Sequence, residues 1–214
     1  MNLNEIRTVM NLLKASAIAG LVVTVAACGN LGKPAPRFAV YDLGLIDAVR
    51  PLPAIAPGRV EVRVPSWLAT GAMQYRIEYK QPAQRELFLQ SRWASQPSEL
   101  LDLALVRALA GDKGGASDCR LRIELDEFVH VFESATLSHS ELIARAQLLP
   151  VRNDLVLAQQ TFVIREPAPT SDASGGVIAH RAGVRRLAKE LAEWLGGLDR
   201  IAGQELNIVE RCNR

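Results

Sequence analysis

From Cys119 to Phe132 the chain alternates over a stretch that no helical repeat accommodates. Leu121, Ile123 and Leu125 fall on one side, and Arg120, Arg122, Glu124 and Asp126 fall on the other. A period of two belongs to an extended strand with one dry and one wet face, because successive side chains point to opposite sides of the backbone. A strand this long is not stable alone: its edges need partners and its apolar face needs a covering layer. The rest of the sequence holds candidates for both.

Phe38 to Ile46 is a first strand candidate, and Arg59 to Val64 alternates strictly, with Val60, Val62 and Val64 on one face. Met73 to Lys80 and Arg85 to Gln90 follow, separated by a turn near Pro82. Beyond the central strand, Thr136 to Val151 and Leu155 to Ile164 are joined at Arg152-Asn153-Asp154, a composition that suits a hairpin. Two segments change to a helical repeat. Over 97–110 the stripe is Leu101, Leu105 and Leu109, with Pro97 in the first turn, where a missing amide costs nothing. Over 177–195 the stripe is Val184, Leu187, Leu191 and Trp194, while Arg181, Arg185, Lys189 and Glu193 face water. Pro167 to Gly176 reads as a loop, and Gly196-Gly197 suits the end of the second helix. The order predicts an α+β fold: a mostly antiparallel sheet with two helices packed on one face.

The N-terminus is of another kind. Residues 1–14 are polar and net basic, with Arg7 and Lys14 against Glu5, and residues 15–25 carry no charge. An uncharged core of about 7–15 residues marks a signal peptide and falls short of the roughly 20 apolar residues a membrane span needs. Ala26 and Ala27 then leave room for a peptidase before Cys28. The run Val25-Ala26-Ala27-Cys28 resembles the bacterial lipobox, which implies that Cys28 receives a diacylglyceryl group and becomes the first mature residue. The competing readings are an uncleaved anchor and a buried helix that happens to hold a cysteine. Met10 would give a more compact basic region than Met1 and is an alternative start. Gly29 to Arg37, rich in glycine and proline, reads as a tether whose full extension is roughly 30 Å. The expected divisions are a signal peptide over 1–27, a lipidated tether over 28–37, the α+β domain over 38–198 and a C-terminal tail over 199–214.

After residue 27 the chain holds 23 basic and 22 acidic residues, so no basic footprint points to nucleic acid. With 49% hydrophobic residues it has the material for a core. Cys119 and Cys212 remain once Cys28 is acylated. In an exported protein they either bridge the tail to the middle of the domain or stay as two separate thiols.

Chemical constellations are missing. His130, His139 and His180 do not stand at metal-ligand spacing from each other or from paired cysteines, and are expected at the surface or at strand ends. No Gly-x-Ser-x-Gly elbow occurs, and Gly111-Asp-Lys-Gly-Gly lacks the Walker order and follows a helix. Trp67, Trp93 and Trp194 are expected in the core. No catalytic residue, metal or cofactor is expected beyond the covalent lipid on Cys28.

Several stretches together resemble the ABC-type transport auxiliary lipoprotein family, which includes the lipoprotein of the paraquat-inducible Pqi system. They are Tyr41-Asp-Leu43, Val60 to Leu68, Met73-Gln-Tyr75-Arg76, Arg92-Trp93-Ala94 before the helix at Pro97, Leu121 to Phe128, and Ala144 to Leu148. The resemblance implies a non-catalytic accessory subunit of an envelope transporter for lipids or related apolar compounds. Its implied partners are an inner-membrane ABC permease, an ATPase and an MCE-domain protein. Gly29, not aspartate, follows the cysteine, which in enteric-type sorting implies the outer membrane, with the body in the periplasm. Both a single copy and a homo-oligomer are compatible with these features. The alternatives are a structural or assembly lipoprotein of a secretion or lipopolysaccharide-export machine, and a periplasmic enzyme, which would need a deep polar pocket.

Overall fold

The computed structural model describes Met10 and residues 38–49, 55–110, 117–198 and 208–212. The rest of the expected signal peptide, Cys28, the tether, the glycine loop over 111–116 and most of the C-terminal tail lie outside the described residues.

Strand β5, Ser117–Phe132, organises the domain. Along one edge it pairs antiparallel with β6, Ser138–Pro150, which in turn pairs antiparallel with β7, Ala158–Pro167. Two shorter strands share its other edge end to end. β2, Pro57–Arg63, runs parallel to the first half of β5. β3, Ala72–Ile77, runs parallel to its last three residues. β4, Glu86–Trp93, returns antiparallel to β3, and the three-residue β1, Ala39–Tyr41, lies parallel to the end of β4. The sheet is therefore mixed. The β5–β6–β7 meander is antiparallel as expected, but β1, β2 and β3 join by parallel pairing because longer connections return them to the sheet in the same direction.

Helices α1, Pro97–Ala110, and α2, Ala173–Gly197, cover one face. Leu101, Leu105 and Leu109 from α1, and Val184, Leu187, Leu191 and Leu195 from α2, enter one core with Leu121, Ile123 and Leu125 of β5. All ten are fully buried. The short α3, Ile208–Cys212, belongs to the same body, because Cys212 is bonded to Cys119 at the start of β5.

A bulge between Leu125 and Glu127 changes which residues of β5 face inward. Before it, Cys119, Leu121, Ile123 and Leu125 point to the core. After it, Phe128, His130 and Phe132 do so, paired with Leu142, Ser140 and Ser138. One extra residue in a ladder of period two moves every later side chain to the other face. Val129 and Val131 consequently lie on the outer face, yet they too are buried. Their register neighbours Arg76 and Glu141 belong to a chain of ion pairs running Arg85–Glu127–Arg76–Glu141–Arg165. The middle of this chain, Arg76, Glu127 and Glu141, is itself largely buried, whereas Arg165 at its end is exposed.

The second helix begins at Ala173, four residues before the apolar stripe suggests, so part of the expected loop is helical. Glycines 175 and 176 permit this start. A Cβ on Gly175 would lie 2.0 Å from the Thr170 carbonyl oxygen, and one on Gly176 would lie 2.6 Å from Nδ1 of His130. Here glycine is a requirement of close helix–sheet approach, not of a turn.

Candidate functional site

The first turn of α2 covers His130, and beyond it the inner face of the sheet is open. By register, Tyr75 and Ile77 of β3 share that face with His130 and Phe132. Phe88 of β4 completes a ring cluster, 4.7 Å from Tyr75 and 6.0 Å from His130, centroid to centroid. Tyr75, Ile77, Phe88 and Phe132 form the floor of a groove of about 680 Å³, with His130 buried beside it. Its rim carries Tyr79, Leu87 and Leu89, which are 47%, 52% and 85% exposed. Apolar side chains in such numbers are normally covered, so the groove is an exposed apolar surface with no covering element among the described residues.

Its polar features are few and mostly paired. The Tyr75 hydroxyl donates to the Glu86 carboxylate at 2.5 Å, which raises the tyrosine's pKa. At the α2 end, Asp172 is the N-cap. Its Oδ1 accepts from the Gly175 amide at 2.8 Å, the Ser174 hydroxyl at 2.8 Å and the Thr170 hydroxyl at 3.0 Å. These bonds, the Gly175 amide first, hold its pKa below the usual carboxylate value. Asp172→Ala is expected to destabilise the domain by about 1 kcal/mol in urea unfolding, whereas Asp172→Asn, which also caps, changes little. Equal losses in the two variants would show that the charge, not the cap, is what stabilises the helix start.

His139 lies at the start of β6, as expected, beside Glu133, but the other two histidines are not where the sequence suggests. His130 and His180 are 1% and 3% exposed, in the core and not at the surface. His130 turns inward because of the β5 bulge. His180 lies on the buried stripe of α2, its ring 4.1 Å from that of Phe128 and 5.5 Å from that of Trp93. Neither ring nitrogen of His130 has a hydrogen-bond partner among the described residues, nor does the hydroxyl of its cross-strand neighbour Ser140. Burial lowers the pKa of His130 to about 4, assisted by the nearby His139 and opposed by Asp172. Burial likewise lowers His180 to about 3. Both rings are therefore neutral near pH 7 and act as core material.

Other expected sites separate cleanly. Cys28 lies outside the described residues. Cys119 and Cys212 form a disulfide at the start of β5, and the groove lies at that strand's opposite end. Trp93 is buried and Trp194 is partly buried against Phe162. Trp67, however, is 54% exposed. It sits in a single 3-10 turn, Ser66–Leu68, and the adjacent Leu68 occupies the core position instead. Among the described residues no group of three or more histidine, cysteine or acidic side chains could hold a metal ion, and no helix is long and apolar enough to cross a membrane.

The alternation of Tyr75, Ile77 and Tyr79 was a legible signal for one apolar face. That no helix covers that face was not legible. The groove is lined by rings and aliphatic side chains together with Gln90, Ser91, Ser171 and the capped Asp172 carboxylate, a surface suited to apolar matter.

A family model described as the ABC-type transport auxiliary lipoprotein component matches residues 48–192. Two crystal structures share the fold. A Xanthomonas campestris protein of the DUF330 family superposes with a TM-score of 0.63 at 18% identity, over 78% of this chain and all of its own. An uncharacterised protein superposes with a TM-score of 0.56 at 15% identity, over 74% of this chain and 99% of its own. No curated protein matches the chain.

Proposed function

The chain belongs to the ABC-type transport auxiliary lipoprotein family, and from that premise we propose that it is the lipid-anchored, non-catalytic subunit of an envelope transporter for lipids or related apolar compounds. The observation that carries this reading is the match over 48–192, which takes in β2 to β7, all of α1, and α2 as far as residue 192. In this reading Cys28 carries the lipid and Gly29 directs the protein to the outer membrane, leaving the body in the periplasm. An MCE-domain protein, an ABC permease and its ATPase are the partners. Hydrolysis of ATP then belongs to the ATPase, and this subunit contributes position and contact. The apolar groove supports an association with apolar cargo or with the membrane that supplies it.

Affinity purification of the full-length protein from detergent-solubilised envelopes tests the proposal. Co-purification of MCE-type and permease subunits is the expected result. Recovery of secretion or lipopolysaccharide-export subunits in their place would favour the assembly-factor reading, and recovery of neither would leave the transport reading without its partners. Separation of inner from outer membranes on a sucrose gradient tests the location, which an inner-membrane position would overturn.

A further inference from the structure

Nine residues, 29–37, separate Cys28 from Phe38. At full extension they span no more than about 30 Å. Immediately after Phe38, Ala39 enters the sheet beside Ser91, and Ser91, Gln90 and Leu89 line the groove. The polypeptide that leads to the lipid site therefore leaves the folded body at the groove's rim. Any leaflet holding a lipid on Cys28 is within that short reach of the groove. The hairpin at 151–156 lies at the other end of the sixteen-residue β5, about 50 Å away along the strand.

Exposed apolar side chains occur at both ends of the sheet, Val151, Leu155 and Val156 at the hairpin end and a larger group at the tethered end. Leu89 is 85% exposed, and Phe38, Tyr79, Leu87 and Leu137 lie between 46% and 53%. Two of the groove's aromatics are tyrosines, whose rings favour an apolar phase and whose hydroxyls favour water, as at a membrane interface. The carboxylate of Asp172 is engaged by its own helix, so it requires no cation from a ligand. A volume of about 680 Å³ falls within the usual range of ligand clefts, about 300–1,000 Å³.

We propose that the groove end faces the membrane holding the Cys28 lipid, and that the groove takes an acyl chain of a phospholipid from that leaflet. The proposal rests on lipid attachment at Cys28 and is independent of which transport subunits bind.

The test uses the full-length protein reconstituted into phosphatidylethanolamine–phosphatidylglycerol vesicles, with a photo-crosslinking amino acid at Leu89 or, as control, at Leu103 on α1, which is 56% exposed. Mass spectrometry reads the crosslinked phospholipid and the modification of Cys28 in the same sample. Phospholipid capture at position 89 is expected to exceed that at 103 by about 10-fold or more, the order of effect of burying one leucine. Leu87→Glu, at an exposed position, should lower that capture by a similar factor without changing the melting temperature. Equal capture at 89 and 103, or none at either while Cys28 carries its lipid, overturns the groove assignment and leaves the anchored reading intact. An unmodified Cys28 overturns both.

Discussion

Cys212→Ala is expected to lower the stability of the oxidised protein by about 4–5 kcal/mol, the chain-entropy value for a closed loop of this length. The disulfide joins residues separated by 93 positions, so without it the unfolded chain recovers the freedom of nearly half the sequence. At about 2–4 °C per kcal/mol for a domain of this size, the melting temperature should fall by roughly 10–20 °C. Both sulfurs sit in fully buried residues, Cys119 in the first turn inward of β5 and Cys212 at the end of α3. The bond thereby holds the last helix against the central strand. Reductant should lower the wild-type melting temperature to near that of the variant and leave the variant unchanged. Identical melting of wild type and variant under oxidising conditions would remove the disulfide from the account of stability.

Acid should unfold the domain well above the pH at which its carboxylates protonate. His130 and His180 have pKa values lowered to about 4 and about 3 in the fold, against 6.5 in the unfolded chain. Below pH 6.5 the unfolded chain binds two protons that the folded protein excludes, so stability is full above 6.5 and declines as pH falls. The decline continues until the folded sites themselves charge, near pH 4 and pH 3. At about 1.4 kcal/mol for each pH unit so crossed, the two sites together remove several kcal/mol. Glu61, Asp154 and Asp172, whose pKa values are lowered in the fold, add their loss as pH falls through the unfolded values, 4.5 for Glu61 and 3.8 for the two aspartates. Asp102, whose pKa burial raises, takes up its proton in the fold first and opposes this loss, so the histidine contribution between pH 6.5 and 4.5 is read from the difference between the wild type and His180→Leu. Urea unfolding across that interval should show a slope smaller by close to one proton in His180→Leu than in the wild type. Equal slopes in the two would contradict the assignment.

These expectations show which links between residue and structure lie in the sequence. The helix over 97–110 coincides with its apolar stripe, because Pro97 starts it and three leucines at i, i+4 and i+8 suffice to bury one face. The long alternation of β5 was equally plain up to Leu125. His130 was misplaced because the bulge after Leu125 reverses the phase, and a bulge depends on the partner strand β6, not on β5 alone. The start of α2 was missed for a related reason. Gly175 and Gly176 read as loop residues by propensity, but the helix needs them where it meets Thr170 and His130. Trp67 was drawn toward the core by its size, while the turn after Pro65 delivers Leu68 there instead.

By itself the sequence determined the elements and their apolar faces, the family likeness and a charge balance without a nucleic-acid footprint, because period, turn chemistry and motif order are local properties. Tertiary structure decided the rest. It placed β1, β2 and β3 in parallel pairings, brought two histidines into the core, and left β3 and β4 partly uncovered beyond the first turn of α2. Each outcome depends on which distant segment arrives alongside, and a side chain's environment is set by that neighbour as much as by its own alternation. The groove is the clearest case. Tyr75, Ile77 and Phe88 have the pattern of core residues, and they line an open groove because the covering helix begins only at Ala173.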